Sequence, residues 1–173
     1  WGENFTSKIN GMWSIAIWDS NKKKLLLSRD RFGEKPLYYY YKNKEIFFSS
    51  ELSSFKFLLD KKLLINNKLV ENYLIYGHKY MQKNQKTFFR NVYLLEPATN
   101  IILTDRSFRK YKYWSVPLKK QKISINDSID GIGYYLSESM RLRLRSDVPI
   151  SFYLSGGVDS NVLLGLCTKK FNF

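Results

Sequence analysis

Residues 151–162 read SFYLSGGVDSNV, and their reading decides what kind of domain closes this chain. The short apolar run Ile150 to Leu154 has the length and composition of a strand, and a helical pattern resumes near Asn161. Between them lies Ser155-Gly156-Gly157-Val158-Asp159-Ser160. Upstream, Asn126-Asp127-Ser128 supply helix-capping side chains, and Ile129, Ile132, Leu136 and Met140 recur at spacings of three and four. That pattern predicts a helix to about Arg145, weakened by Gly131 and Gly133 and stopped at Ser146-Asp147-Val148-Pro149. Helix, strand, glycine loop and helix in this order open a parallel α/β sheet.

A strand that turns through two glycines into a helix gathers backbone N–H groups and the positive end of the helix dipole at one point, where anions bind. Gly156 and Gly157 allow close backbone approach and positive φ, and the Ser155 and Ser160 hydroxyls can donate to phosphate oxygens. Leu154 and Val158 flank these donors in the expected binding segment. A carboxylate beside phosphate is repelled, so Asp159 either faces Mg²⁺ or orients the loop. The competing reading is a strand-to-helix turn with no ligand. The spacing is neither G-x-x-x-x-G-K-[ST] nor G-x-G-x-x-G.

The first two thirds of the chain have a different texture. Met12–Trp18 (MWSIAIW), the turn Asp19-Ser20-Asn21 and Lys24–Ser28 (KLLLS) predict a hairpin. The charged turn Arg29-Asp30-Arg31-Phe32-Gly33-Glu34-Lys35-Pro36 leads into an aromatic strand, Leu37–Tyr41, which turns at Lys42-Asn43-Lys44 into Glu45–Ser49. The expectation is an antiparallel meander. Short helices are predicted over Glu51–Leu59 and Leu69–Tyr76, the second ending on Gly77. After a Lys-rich loop from His78 to Lys86, short strands return between Thr87 and Trp114, and Ser115–Lys122 (SVPLKKQK) has the composition of a linker.

Bulk properties bound the function. The 173 residues are 44% hydrophobic and 25% charged, a globular composition. A net charge of +14, from 29 Lys and Arg against 15 Asp and Glu, raises the question of nucleic acid or a membrane surface. The lysines are scattered in short groups without a recognition motif, so neither is expected as a partner. The single Cys167 allows no intramolecular disulfide and fits a reducing, cytoplasmic compartment; a small buried hydrophobe is its expected role. No apolar stretch approaches the ~18 residues of a membrane span. The chain opens on Trp1 and stops at Phe173 within a helical pattern, which predicts a fragment.

The S-G-G-x-D-S loop resembles the PP-loop of the ATP pyrophosphatase superfamily, whose members include synthetases for GMP, NAD and argininosuccinate and tRNA-thiolating enzymes. The rest of the chain narrows the choice. NGMWSIAIWDSNKKKLLLSRDRFGEKPLYYYYKNKEIFFSSEL (residues 10–52) is similar to the second half of a class II, N-terminal nucleophile glutamine amidotransferase domain, with its G-M-F-A-F-A-I-W-D and R-D-x-x-G-x-K-P-L-Y patterns. MRLRLRSDVPISFYLSGGVDS (residues 140–160) resembles the entry of glutamine-hydrolysing asparagine synthetases into their ATP domain, and TFFRNVYLLEP and YKYW match the bridging region in kind.

The resemblance implies an α+β β-sandwich of N-terminal nucleophile hydrolase type, C-terminal part only, over residues 1–115. It implies a linker at 116–124 and the start of an α/β parallel-sheet PP-loop domain at 125–173. It further implies ATP and Mg²⁺ as cofactors, aspartate, glutamine and ATP as small-molecule substrates, and a homodimer at full length. Leu154, Ser155, Gly156, Gly157, Val158, Asp159 and Ser160 are then the ATP and pyrophosphate contacts, with Asp159 the candidate Mg²⁺ contact. The family's nucleophilic cysteine and its glutamine-gripping Arg, Asn-Gly-Glu and Asp are expected upstream of residue 1, so no catalytic residue is expected here. A relative amidating another carboxylate, such as a sugar acid, and a non-catalytic nucleotide-binding remnant are the alternatives.

The chain departs from the family pattern at Asn161, where a serine is usual, and at Leu94-Leu95-Glu96-Pro97-Ala98, in place of L-x-P-G-[HT]. His78, the only histidine, is expected at the surface. Arg29 and Asp30 are expected either as a buried ion pair stabilising their turn or as a lining of the ammonia route or domain interface.

Overall fold

The computed structural model describes residues 1–59, 63–77, 85–118 and 122–171, so His78, most of its lysine-rich loop and residues 119–121 lie outside the described residues. The described chain divides into two compact units, Trp1–Pro117 and Leu118–Phe173.

The first unit opens with a 3-10 turn, Gly2–Ser7, and then builds two antiparallel sheets. The strands are β1 (Ser14–Asp19), β2 (Lys24–Arg29), β3 (Tyr38–Lys42), β4 (Glu45–Ser49), β5 (Val92–Leu94), β6 (Thr99–Leu103) and β7 (Phe108–Lys112). Both expected hairpins form. Asp19 Oδ1 accepts from the Lys22 amide at 3.0 Å in the first turn, and Asn43 and Lys44 both take positive φ in the second, the backbone of a tight hairpin.

The expected continuous meander does not form, because β2 and β3 part into different sheets. β2 pairs with β6, with Leu27 opposite Ile101, giving the order β1-β2-β6-β7; β3 pairs with β5 and β4, giving β4-β3-β5. The physical cause lies in the four consecutive tyrosines. Side chains alternate across a strand, so Tyr39 joins Leu27, Leu37, Leu95 and Ile101 in one core, where Tyr41 also stacks on Phe108 with ring centroids 4.3 Å apart. Tyr40 turns to the other face and packs with Phe55, Leu59 and Val92, with Tyr38 packed against them. A strand buried on both faces belongs in the middle of its sheet, with core on either side.

The second core is closed by a 3-10 turn at Leu52–Ser54 running into α1 (Phe55–Leu58). Helix α2 (Asn67–Tyr76) is capped by the Asn66 side chain and stopped by Gly77 at φ 69°, whose N–H returns to the Tyr73 carbonyl at 2.8 Å. Glu3 bridges two strands from the opening turn, pairing with Lys24 of β2 at 3.2 Å and with Arg109 of β7. These antiparallel sheets with short helices fit the α+β domain expected for this part of the chain.

The second unit holds α3 (Ile125–Arg143) and α4 (Val158–Phe171). The cap of α3 is Ser124, upstream of the expected Asn126-Asp127-Ser128: its Oγ accepts from the Asp127 amide at 3.1 Å and donates to the Asp127 carboxylate at 2.7 Å. The helix passes through Gly131 and Gly133 without a break. It packs on α4, Lys170 donating to Ser137 Oγ at 2.9 Å, and Met140 and Cys167 are the residues buried on these two helices. Cys167 is fully buried, as its composition predicted, and burial raises its thiol pKa.

Two expectations about this unit are corrected. Ile150–Leu154 is not hydrogen-bonded into a sheet, because a strand needs a neighbour and no other strand is present among the described residues of this unit. The second helix begins at Val158 instead of near Asn161, so Asp159 and Ser160 sit in its first turn.

Candidate functional site

The seven expected contacts fall on the entry to α4. Leu154 and Ser155 end the extended segment, Gly156 and Gly157 make the turn, and Val158, Asp159 and Ser160 open the helix. Gly156 stands at φ 78°, a conformation that disfavours every L side chain, although open space surrounds the place its Cβ would occupy. Gly157 has ordinary φ, and an added Cβ there would meet only Ser155 Oγ at 3.4 Å.

A ring of hydrogen bonds fixes the turn. Ser155 Oγ accepts from the Gly157 amide at 3.4 Å and lies 3.3 Å from Ser160 Oγ. The Gly157 carbonyl accepts from Ser160 Oγ at 3.1 Å, from the Asn161 amide at 3.3 Å and from Asn161 Nδ2 at 2.9 Å. Asn161, where the chain departs from the usual serine, turns its carboxamide back on the loop carbonyl. A polar side chain bonding four residues back in a first turn is the signal that points to this role.

The donor set suits a phosphate. Both hydroxyls lie together at the helix start, the first amides of α4 have no partner within the helix, and the dipole adds partial positive charge. The Asp159 carboxylate makes no hydrogen bond or ion pair among the described residues. No group of three or more His, Cys, Asp or Glu side chains capable of holding a metal occurs among the described residues. A cation held at Asp159 would have to take most of its ligands from outside the described side chains, as Mg²⁺ does when it keeps water and phosphate oxygens.

In the first unit the turn after β2 forms a second polar node, and the expected ion pair is not its basis. The Asp30 carboxylate accepts from the amides of Glu34 (2.9 Å), Lys35 (3.0 Å), Phe32 (3.1 Å) and Trp13 (3.4 Å). The Arg29 guanidinium donates to the carbonyls of Lys35 (2.7 Å), Gly33 and Leu95. Burial alone pushes the Asp30 carboxyl up, but the four amides outweigh it and hold it below the ordinary carboxylate value; burial lowers the Arg29 pKa. Tyr113 closes the node, donating to the Arg29 carbonyl at 2.8 Å and stacking on Trp13, and burial pushes its hydroxyl up to about 12.

Gly33 is required in that turn. Its φ is 69°, and a Cβ would come within 2.9 Å of Pro97 Cγ and 3.0 Å of Arg29 Cζ. The node thereby ties the turn after β2 to the Leu95–Ala98 turn before β6, with the Ala98 amide donating to the Asp30 carbonyl at 2.8 Å. Ala98 stands where the L-x-P-G-[HT] pattern has glycine, and it holds the backbone at φ 55°, which glycine adopts more readily.

Comparison with known proteins agrees with this division of the chain. Residues 1–114 match the model of the glutamine amidotransferase domain, and residues 132–172 match that of asparagine synthase. The chain belongs to the glutamine amidotransferase domain family. It is 36% identical, over 95% of its length, to a protein of Methanocaldococcus jannaschii named as a glutamine-hydrolysing asparagine synthetase. A glutamine-hydrolysing asparagine synthetase of Bacillus subtilis is 34% identical over 98% of the chain, and a Gibberella zeae protein named as an amidase is 28% identical over 96%. The chain spans 32% of the first of these relatives and 24% of each of the other two. Among the described residues no helix is long and apolar enough to cross a membrane.

Proposed function

We propose that the protein to which this chain belongs makes asparagine from aspartate, ATP and glutamine, and that Leu154–Ser160 holds the phosphates of ATP. The observation that carries the reading is one of conjunction. A glutamine amidotransferase unit is followed, in one chain, by an asparagine synthase match that includes a loop with two hydroxyls and free helix amides at one point.

Chemistry explains why the two parts belong together. A carboxylate does not accept ammonia in water, because oxide is a poor leaving group. Attack of the aspartate side-chain oxygen on the α-phosphorus of ATP forms an acyl adenylate and releases pyrophosphate. Ammonia from glutamine then adds at the acyl carbon and AMP leaves. On this reading the Ser155 and Ser160 hydroxyls and the first amides of α4 take the charge that develops on the departing pyrophosphate. Asp159 would be the chain's contact to the Mg²⁺ that travels with the nucleotide, and a cation there would offset the repulsion between the carboxylate and the phosphates. The chain's part in this scheme is binding and orientation.

The test is to assay the complete protein with aspartate, glutamine and ATP-Mg²⁺, measuring AMP and asparagine. Equimolar formation of both supports the reading. A relative named as an amidase favours one second reading, in which the same domains act on a different carboxyl or amide compound. ATP cleavage stimulated by another carboxylate but not by aspartate selects that reading, nucleotide binding without cleavage selects a non-catalytic nucleotide-binding remnant, and no nucleotide binding at all leaves only the fold.

A further inference from the structure

We draw no further inference here: the strongest candidate, the apolar stripe that Ile125, Ile129 and Ile132 leave exposed along α3, has nothing in the structure to show what covers it.

Discussion

Arg29 and Asp30 are adjacent and buried, yet the guanidinium bonds to carbonyls and the carboxylate to amides, so that each satisfies a different half of the same turn. The Asp30 charge opposes the burial of Arg29 in part, while the hydrogen bonds of both side chains are made with backbone.

Removing Asp30 leaves four amides without their acceptor and an arginine without its neighbouring charge. Asp30→Ala is expected to cost about 3 kcal/mol or more, a large part of the stability of an ordinary domain. Urea unfolding of the amidotransferase unit within the complete protein, followed by intrinsic tryptophan fluorescence, measures it. A loss under about 1 kcal/mol contradicts the role given to the four amides.

The same carboxylate sets a pH dependence. Its folded pKa lies below the unfolded value of about 3.9. Its contribution is therefore fully present above that value and is lost as the pH falls through the folded pKa. Stability should fall below about pH 4 more gently in Asp30→Asn than in the parent protein. Parallel acid titrations of the two compare the slopes directly.

Gly33→Ala combines a strained φ with contacts to Pro97 and Arg29, and an expected loss of about 1–3 kcal/mol follows. Gly157→Ala, at ordinary φ in the second unit, should change stability by less than about 0.5 kcal/mol. Thermal unfolding of both variants tests the contrast; equal losses would contradict it.

Asn100 is fully buried, donates to Tyr111 Oη at 3.2 Å and leaves its Oδ1 without a partner among the described residues. Asn100→Leu removes one made bond and one unmade one together, so the net change should stay within about 1 kcal/mol. Asn100→Asp puts a charge in that buried position and should lose several times more above its pKa. Chemical denaturation at pH 7 distinguishes the two outcomes.

Much of the architecture was legible because local rules govern it. The Asp19-Ser20-Asn21 and Lys42-Asn43-Lys44 turns mark hairpins by turn chemistry alone, and Gly77 marks a helix end. What was illegible is non-local. Nothing near β2 in sequence shows that its partner is β6, and alternation in Tyr38–Tyr41 looks the same whether one face is buried or both. Ile150–Leu154 has strand composition but no strand beside it among the described residues. At the candidate site the residue types were legible from the S-G-G-x-D-S spacing, whereas the bond from Asn161 to the Gly157 carbonyl and the backbone partners of Arg29 and Asp30 depend on three-dimensional geometry.

The loop makes its own demand on nucleotide binding. Gly156→Ala has room for the methyl group but not the φ for it, so the turn must shift away from its hydrogen-bonded ring. An approximately tenfold weaker affinity for ATP-Mg²⁺ is expected, about 1.4 kcal/mol, by titration calorimetry on the complete protein. Unchanged affinity would remove the turn from the phosphate site.

The most direct measurement is aspartate-dependent exchange of labelled pyrophosphate into ATP by the complete protein, since reversal of adenylation alone returns pyrophosphate to the nucleotide. The account predicts exchange that requires both aspartate and Mg²⁺ and is abolished by Asp159→Ala in a variant that still folds. Absence of exchange with aspartate, or exchange undiminished in that variant, would contradict it.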